Sequence, residues 1–245
     1  MSKPEVRVAD DVAAEAAPAV AAALREAVEA RGGASLALAG GGTPLALYRQ
    51  LAEPEAGVPW EHVHVFWGDE RLVPPDDPGS NYRAAHEALL SHVPIPEAHV
   101  HRVKTELPPA SAVADYAEQL RVYAQQSEVD CPSPWPRFDV VLLGLGEDGH
   151  TASLFPGSPA ESIVPVLPVT ADYEGRPAER VTLTPCVFNH ARHVFFLVAG
   201  ENKAEAVAAA LGPQRDPDRH PAQRIEPEEG KVVWFLDQAA AGKLN

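Results

Sequence analysis

Cysteine is scarce in this chain, whose 245 residues include only Cys131 and Cys186. Two cysteines this far apart in sequence, with no second cysteine near either, cannot build the disulfide framework of a small secreted protein or a zinc knuckle. We therefore predict that both side chains are reduced thiols.

Long apolar runs are also missing. The N-terminal stretch is rich in Ala rather than Leu, is interrupted by Pro18, and carries acidic residues within its first eleven positions. It therefore resembles neither a signal peptide nor a membrane span. The sequence predicts a cytoplasmic protein that does not associate with membranes.

Basic residues are few compared with acidic ones. The chain has 20 Lys and Arg against 35 Asp and Glu, a formal net charge of −15. Such a charge repels nucleic acid and anionic lipid, so we expect no nucleic-acid partner. An acidic protein that binds an anionic substrate must gather a few basic groups locally, which makes any Arg or Lys beside a turn motif informative.

The remaining composition is that of an ordinary globular protein, 45% hydrophobic and 22% charged, and we expect a single domain over residues 1–245. Apolar runs too short for helices alternate with segments of helical periodicity. The predicted strands are 35–40, 62–67, 138–143, 193–198 and 232–236, and the predicted helices are 11–31, one that starts at a Thr43 N-cap, one capped by Ser80, 113–123 and 204–211.

This alternation predicts an α/β fold, a doubly wound and mostly parallel sheet with helices on both faces. Ligands of such sheets bind beyond the carboxyl ends of the strands. The motifs GGGT, GDER, GLGEDGH and GENK each follow a predicted strand, so we expect them to surround one pocket. Residues 212–230 are rich in Pro and charge, which predicts a mobile surface loop.

The glycine motif before the second helix is suited to an anion. Gly41, Gly42 and Thr43 let the backbone approach a ligand closely and present N–H groups at the positive end of a helix dipole. The motif lacks the Lys of a P-loop and the spacing of a dinucleotide fingerprint, so it implies neither ATP nor NAD. A simple tight turn is the alternative interpretation.

Three basic residues and one acid are further candidates for ligand binding. Arg71 could clamp a phosphate through two hydrogen bonds, and Asp69 could orient a hydroxyl. Lys203 and Arg192 are candidate anion ligands of the same kind. For each of them the alternative is a solvated surface charge or a surface salt bridge.

The segment GLGEDGH is the most specific motif for catalysis. Its glycines permit unusual backbone angles, and Gly149 immediately precedes His150. Histidine titrates near neutral pH and can remove a proton from water, while Asp148 or another carboxylate could orient it. A histidine that only caps a helix or bonds within the loop is the alternative.

Two other kinds of catalytic site are disfavoured. The pairs His62 with His64 and His99 with His101 could place imidazoles on one strand face, but no carboxylate or Cys cluster accompanies them, so we predict no metal site. The loop contains Ser153 but no G-x-S-x-G elbow, which disfavours a serine hydrolase. Water is the expected nucleophile.

The chain resembles the 6-phosphogluconolactonase family over nearly its whole length, through LALAGGGTP, FWGDERLVP followed by SNYR, FDVVLLGLGEDGHTASLFPGS and ARHVFFLVAGENKAEAV. The resemblance implies hydrolysis of 6-phospho-D-glucono-1,5-lactone to 6-phosphogluconate in the oxidative pentose phosphate pathway, with no metal or organic cofactor. It also implies a modified Rossmann fold like that of the lactonases and the related deaminases. The partner would be a small phosphosugar lactone, and the protein a monomer or weak homo-oligomer.

Glucosamine-6-phosphate deaminase is the rival, because it shares the fold, a Gly-Gly-Thr loop, a DE dipeptide and a DGH turn. Its pattern I-A-F-N-E-P places a carboxylate five residues after the His, where this chain has Phe155, and a Tyr where this chain has Arg71. Losing that carboxylate favours hydrolysis over isomerisation. A third hypothesis, a catalytically idle phosphosugar sensor, is disfavoured because the α/β pattern leaves no room for an output module.

The resemblance implies a role for each candidate. His150 would deprotonate the water that attacks C1 of the lactone, and Asp148 would orient His150 or the loop. Asp69 would line the sugar pocket. The implied ligands of the substrate, chiefly of its phosphate, are Gly41, Gly42, Thr43, Arg71, Gly149 and Lys203, with Arg192 as a helper.

Overall fold

A computed structural model of the protein describes residues 4–127, 133–158, 163–173 and 175–244. Strands and helices alternate along most of the chain, as the sequence predicts. In chain order the elements are β1 (Glu5–Val8), α1 (Val12–Arg31), β2 (Ala34–Leu38), α2 (Gly42–Ala52), β3 (Val63–Trp67), β4 (Asp69–Arg71), α3 (Asn81–Ala88), α4 (Pro109–Ser127), β5 (Val140–Leu143), β6 (Val166–Thr170), β7 (Glu179–Leu183), α5 (Pro185–Phe188), β8 (His193–Val198), α6 (Ala204–Leu211) and β9 (Lys231–Leu236).

Six of the strands form a parallel sheet in the order β1-β9-β8-β5-β2-β3. Successive side chains of β2 enter different cores: Leu36 and Leu38 pack with α1 and α2, whereas Ala37 packs with α4, α5 and α6. Helices therefore cover both faces, which confirms the predicted fold class. The strand order changes direction between β2 and β5, and such a point is where doubly wound sheets open a ligand crevice.

The first helix shows how closely local signals set its ends. Asp11 accepts hydrogen bonds from the N–H groups of Ala13 and Ala14 at 2.9 and 3.0 Å, and Gly32 ends the helix with a φ of 78°. The helix runs through Pro18, so this proline does not mark its start.

Two features of local structure differ from the prediction. The second helix begins at Gly42 with Gly41 as its N-cap, not with Thr43, because the chain turns at Gly41, whose φ of 106° favours glycine. No strand was predicted at GDER, whereas Asp69–Arg71 forms β4. It belongs to a second, antiparallel sheet in the order β4-β7-β6, which the sequence reading missed.

The range 212–230, predicted as a mobile surface loop, is only partly at the surface. A turn of 3₁₀ helix at Pro221–Arg224 is buried, and Ile225 after it joins the core under α6. The Gln223 side-chain amide donates to the carbonyls of Ala209 and Gln214 at 2.8 and 2.9 Å. Apolar burial and satisfied polar groups thus hold the part of this range around Gln223 against the rest of the protein.

Within the described ranges, no helix has the length and apolar character needed to cross a bilayer. Cys186 is a free, half-buried thiol, as predicted. Cys131 lies outside the described residues.

Candidate active site

A cavity lies at the carboxyl ends of β2, β5 and β8, and side chains of the small sheet close one of its sides. All four polar motifs contribute to its wall, as the parallel topology predicts. The predicted site residues in the wall are Gly41, Gly42, Thr43, Asp69, Arg71, His150 and Lys203.

The glycine loop, residues 40–43, is shaped by close contacts. A Cβ at Gly40 would overlap the side-chain amide of Asn81, whose Cγ would lie only 2.7 Å away. The Asn81 Nδ2 donates to the backbone oxygen of Asp69 at 2.9 Å, which ties α3 to β4. The loop leads into α2, whose first residues Gly42 and Thr43 line the cavity and whose first N–H groups have no partner within the helix.

Glu70 holds β4 and the start of α3 together beside the glycine loop. Its carboxylate, 1% exposed, accepts hydrogen bonds at 2.7 Å from the backbone N–H groups of Arg71, Asn81 and Tyr82 and one at 3.3 Å from the Ser80 hydroxyl. Burial raises the pKa of Glu70 to about 6, although the three backbone N–H groups act in the opposite direction. Ser80 also caps α3, as predicted, by accepting from the Arg83 N–H.

Replacing Glu70 by Ala should unfold the protein more easily. The change leaves three backbone donors and a hydroxyl buried without acceptors, so we expect a loss of about 3 to 5 kcal/mol in the free energy of unfolding. Urea denaturation measures this loss. The matched control is Glu87→Ala, which removes an exposed salt bridge to Arg83 and should change the free energy of unfolding by less than about 0.5 kcal/mol. Equal losses for the two variants would contradict the structural role assigned to Glu70.

The loop of residues 144–150 holds His150 in a tight turn. The N–H of Gly146 donates to the carbonyl of His150 at 2.8 Å, and the N–H of Gly149 donates to that of Gly146 at 3.0 Å. The Thr151 hydroxyl donates to the Gly144 carbonyl at 2.8 Å. Gly149 has a φ of 85°, which favours glycine at this position.

Asp148 contacts the ring of His150. Its Oδ1 lies 2.6 Å from Nδ1 of His150 and also accepts the backbone N–H of the same residue at 3.1 Å. Partial burial pushes the pKa of Asp148 upward, but the hydrogen bonds and charge of His150 outweigh it and hold that pKa below its usual value. The ionised carboxylate accepts, so the ring donates from Nδ1, and Nε2 is the nitrogen left for a ligand.

Two aromatic rings confine the imidazole of His150. Phe155 stacks on it with ring centroids 4.4 Å apart, and Tyr173 meets it edge-on at 4.6 Å. The His150 side chain is only 12% exposed. The ring is thus fixed by packing as well as by Asp148, which is the kind of support that a general base needs.

The segment 216–224 packs against the loop of residues 144–150. The N–H of Ala222 donates to the carbonyl of Gly149 at 3.2 Å, and a Cβ on Gly149 would lie 3.0 Å from Nδ1 of His220. The carbonyl of Asp218 accepts from Gly157 at 2.9 Å. The segment that its composition marked as a surface loop therefore packs against the loop that carries His150.

Not every predicted residue reaches the cavity. Arg192 precedes β8 and so lies at the amino edge of the parallel sheet, opposite the cavity, where its Nε is 3.3 Å from Asp139. The prediction that Arg192 helps to bind substrate was wrong, because a residue before a parallel strand cannot reach the other end of the sheet. Asp148 and Gly149 stand behind His150 rather than in the cavity wall.

The cavity residues that the sequence did not predict include Tyr173, Arg176 and Arg180. Arg180 lies on β7, directly across from Arg71 on β4. The polar–apolar alternation from Arg180 to Leu183 could have predicted the strand, but not its pairing with β4.

Three histidines of the two sequence pairs, His64, His99 and His101, form a packed cluster. His64 stacks on His99 and His101 with centroid distances of 3.8 and 5.3 Å, and Nδ1 of His64 is 3.0 Å from Nε2 of His101. Burial lowers the pKa of His64 and of His101 to about 4, so both rings are neutral at pH 7. In the part of the chain that the structure describes, no group of His, Cys, Asp and Glu side chains could hold a metal.

Known proteins resemble this chain both in sequence and in structure. The family described as glucosamine-6-phosphate isomerases/6-phosphogluconolactonase matches residues 7–234. The 6-phosphogluconolactonase of Synechocystis sp. is 42% identical over 223 residues, 91% of this chain and 89% of the relative. That of Mycobacterium tuberculosis is 41% identical over 243 residues, 96% and 95% of the two chains. The solved 6-phosphogluconolactonase of Trypanosoma brucei superposes with a TM-score of 0.84 at 32% identity and full coverage of both chains.

Proposed function

The chain belongs to the glucosamine-6-phosphate isomerase/6-phosphogluconolactonase family, and from this premise we propose that it hydrolyses 6-phosphogluconolactone to 6-phosphogluconate with His150 as general base. The observation that carries the proposal is the short contact between His150 Nδ1 and Asp148, 2.6 Å, which leaves Nε2 available at the cavity wall. Several curated relatives of comparable length are named 6-phosphogluconolactonases, which supports hydrolysis as the reaction.

The phosphate of the substrate is assigned to the glycine loop. The first N–H groups of α2 and the positive end of its dipole favour a dianion there, and Lys203 lines the same cavity. Arg71 supplies a second cation in the cavity wall, and its Nη1 also donates to the carbonyl of Gly79 at 2.8 Å. In a chain of net charge −15, these local cations supply the positive potential that attracts an anionic substrate.

The reaction begins when Nε2 of His150 takes a proton from a water molecule as its oxygen attacks C1 of the lactone. Asp148 keeps the ring in the tautomer with the proton on Nδ1 and stabilises the imidazolium that forms. The imidazolium then returns the proton to the ring oxygen as the C1–O bond breaks. Asp69, 6% exposed, accepts a hydrogen bond from the Ser153 hydroxyl at 2.7 Å. It lines the cavity, where we assign it to the sugar hydroxyls.

Deaminase chemistry is the second candidate, since the family includes glucosamine-6-phosphate isomerases. The structure offers an observation against it, because Phe155 stacks on His150 at the position where the deaminase pattern has a carboxylate. An apolar ring cannot shuttle the protons that aldose–ketose isomerisation requires. Hydrolysis needs only one base and one returned proton.

Two assays distinguish the candidates. We expect the protein to open freshly generated 6-phosphogluconolactone far faster than it opens spontaneously, measured as acid release, and to release no ammonia from glucosamine 6-phosphate. Ammonia release without lactone opening would favour the deaminase. Ligand-dependent melting with no turnover of either substrate would favour the sensor.

We also propose that the whole chain acts as one domain, because β1 near the start pairs with β9 near the end in the same sheet. The cavity draws on elements from Gly41 to Lys203, so no part of the site stands alone.

A further inference from the structure

We propose that Arg180 is a catalytic residue that stabilises the oxyanion formed on the lactone carbonyl. This inference rests on the proposed lactone hydrolysis and extends it to a residue of the small antiparallel sheet. It assigns to the cavity a second centre of positive charge, separate from the phosphate site at the glycine loop.

The first observation is that Arg180 is buried while N–H donors of its guanidinium lack partners among the described residues. The residue is 2% exposed, and within the described ranges its Nε and Nη2 atoms are buried and have no hydrogen-bond partner. Burial lowers the pKa of Arg180 below its ordinary value, although Asp69 acts in the opposite direction. A guanidinium carries five N–H donors, and leaving buried ones unpaired is costly unless a ligand completes them.

The second observation is the neighbour across the sheet. Arg71 on β4 stands directly opposite Arg180 on β7, and both line the cavity. Like charges at directly opposite strand positions repel. Asp69, the nearby acid, is already engaged by the hydroxyl of Ser153 and by Asn81. An anion in the cavity would relieve this repulsion.

The third observation is that Arg180 and the proposed base both contact the ring of Phe155. The guanidinium carbon of Arg180 lies 5.4 Å from the centre of the Phe155 ring, and His150 stacks on that same ring at 4.4 Å. Apart from Arg71, the proposed phosphate ligands come from other elements, the loop after β2 and the residue before α6. Arg180 is thus assigned to the end of the substrate that reacts with the water held by His150.

In the proposed step, water attacks the carbonyl carbon C1 of the lactone. The water oxygen forms a bond to C1 and gives its proton to Nε2 of His150, while the π pair of the carbonyl moves onto the carbonyl oxygen. The N–H groups of Arg180 donate to this oxyanion. The electron pair then reforms the carbonyl, the bond from C1 to the ring oxygen breaks, and the ring oxygen takes the proton from the imidazolium. The product acid loses its own proton to solvent.

Replacing Arg180 by Met tests the role, with kcat, KM and the melting temperature as readouts. Met keeps most of the volume and removes an unpaired buried charge, so the melting temperature should not fall. The lost donors serve mainly the transition state, so we expect kcat to drop by about 10²- to 10³-fold and KM to change by less than about threefold. The matched control is Arg25→Met, which removes a half-buried Arg that donates to Ala56 far from the cavity and should keep kcat.

Arg180→Lys keeps the test decisive if the Met variant does not fold. A single ammonium retains the charge but not the guanidinium fork, so we expect a loss in kcat of about tenfold. An unchanged kcat in the folded variants would overturn the proposal. If inorganic phosphate no longer raises the melting temperature of the Arg180 variants, Arg180 is a phosphate ligand and the proposal is also overturned. If the unmodified protein opens no lactone, the proposed function itself is wrong, and this outcome differs from both results on the variants.

Discussion

Replacing His150 by Gln is expected to lower kcat for lactone opening by about 10³-fold, because removal of a positioned general base costs 10²- to 10⁴-fold. Gln is close to His in size and can still hydrogen-bond, but it cannot take a proton from water. The phosphate ligands at Gly42, Thr43 and Lys203 are untouched, so KM should change by only a few-fold. Steady-state kinetics on freshly generated lactone, corrected for spontaneous opening, measure both constants.

His92→Gln is the control for this substitution. His92 is an exposed histidine whose Nε2 contacts the carbonyl of Glu87 outside the cavity wall, and its replacement should leave kcat unchanged. A His150→Gln variant that keeps more than about a tenth of the activity would remove His150 from the role of base, since a working base contributes at least 10²-fold.

Adding one methyl group at Gly146 is expected to cost nearly as much. A Cβ there would overlap Nδ1 of His150 and lie 2.6 Å from Oδ1 of Asp148, the two atoms that hold the ring. Both side chains must move, and a displacement of about 1 Å in a catalytic group can cost 10²-fold in rate. We therefore expect Gly146→Ala to lose about 10²-fold in kcat while phosphate still raises the melting temperature.

The matched control for Gly146→Ala is Gly33→Ala, which adds the same methyl group 3.6 Å from the His62 carbonyl, an ordinary contact. It should leave kcat unchanged. A double variant sharpens the test: in the His150→Gln background, Gly146→Ala should cost no further activity, because the group that it displaces has already been removed. Additive losses would mean that Gly146 acts on catalysis through something other than His150.

Features that depend on neighbours in sequence were predictable. The strands β2, β5 and β8 are continuous apolar runs, and a parallel sheet brings the turns after them to one edge, so the convergence of Thr43, His150 and Lys203 followed from topology. The Asp11 cap and the Gly32 stop of α1 are local signals that the structure confirms.

Features that depend on distant contacts were not predictable. Arg180 reaches the cavity only because β7 pairs with β4, 109 residues apart at the Arg71 position, and nothing near Arg180 in sequence reports that pairing. Residues 212–230 look like a surface loop in composition, yet the burial of Gln223 depends on carbonyls of α6 and its flank. The error for Arg192 was avoidable, because its place before β8 already sets it at the wrong edge of the sheet.

The most direct test of the whole account is a structure of the protein with 6-phosphogluconate bound. We predict that the phosphate lies on the N–H groups of Gly42 and Thr43 and on Lys203, while the carboxylate at C1 lies within hydrogen-bond distance of Nε2 of His150 and of the Arg180 guanidinium. A ligand in the reverse orientation, with its phosphate on Arg180 and its carboxylate at the glycine loop, would contradict the assignment of both ends of the cavity.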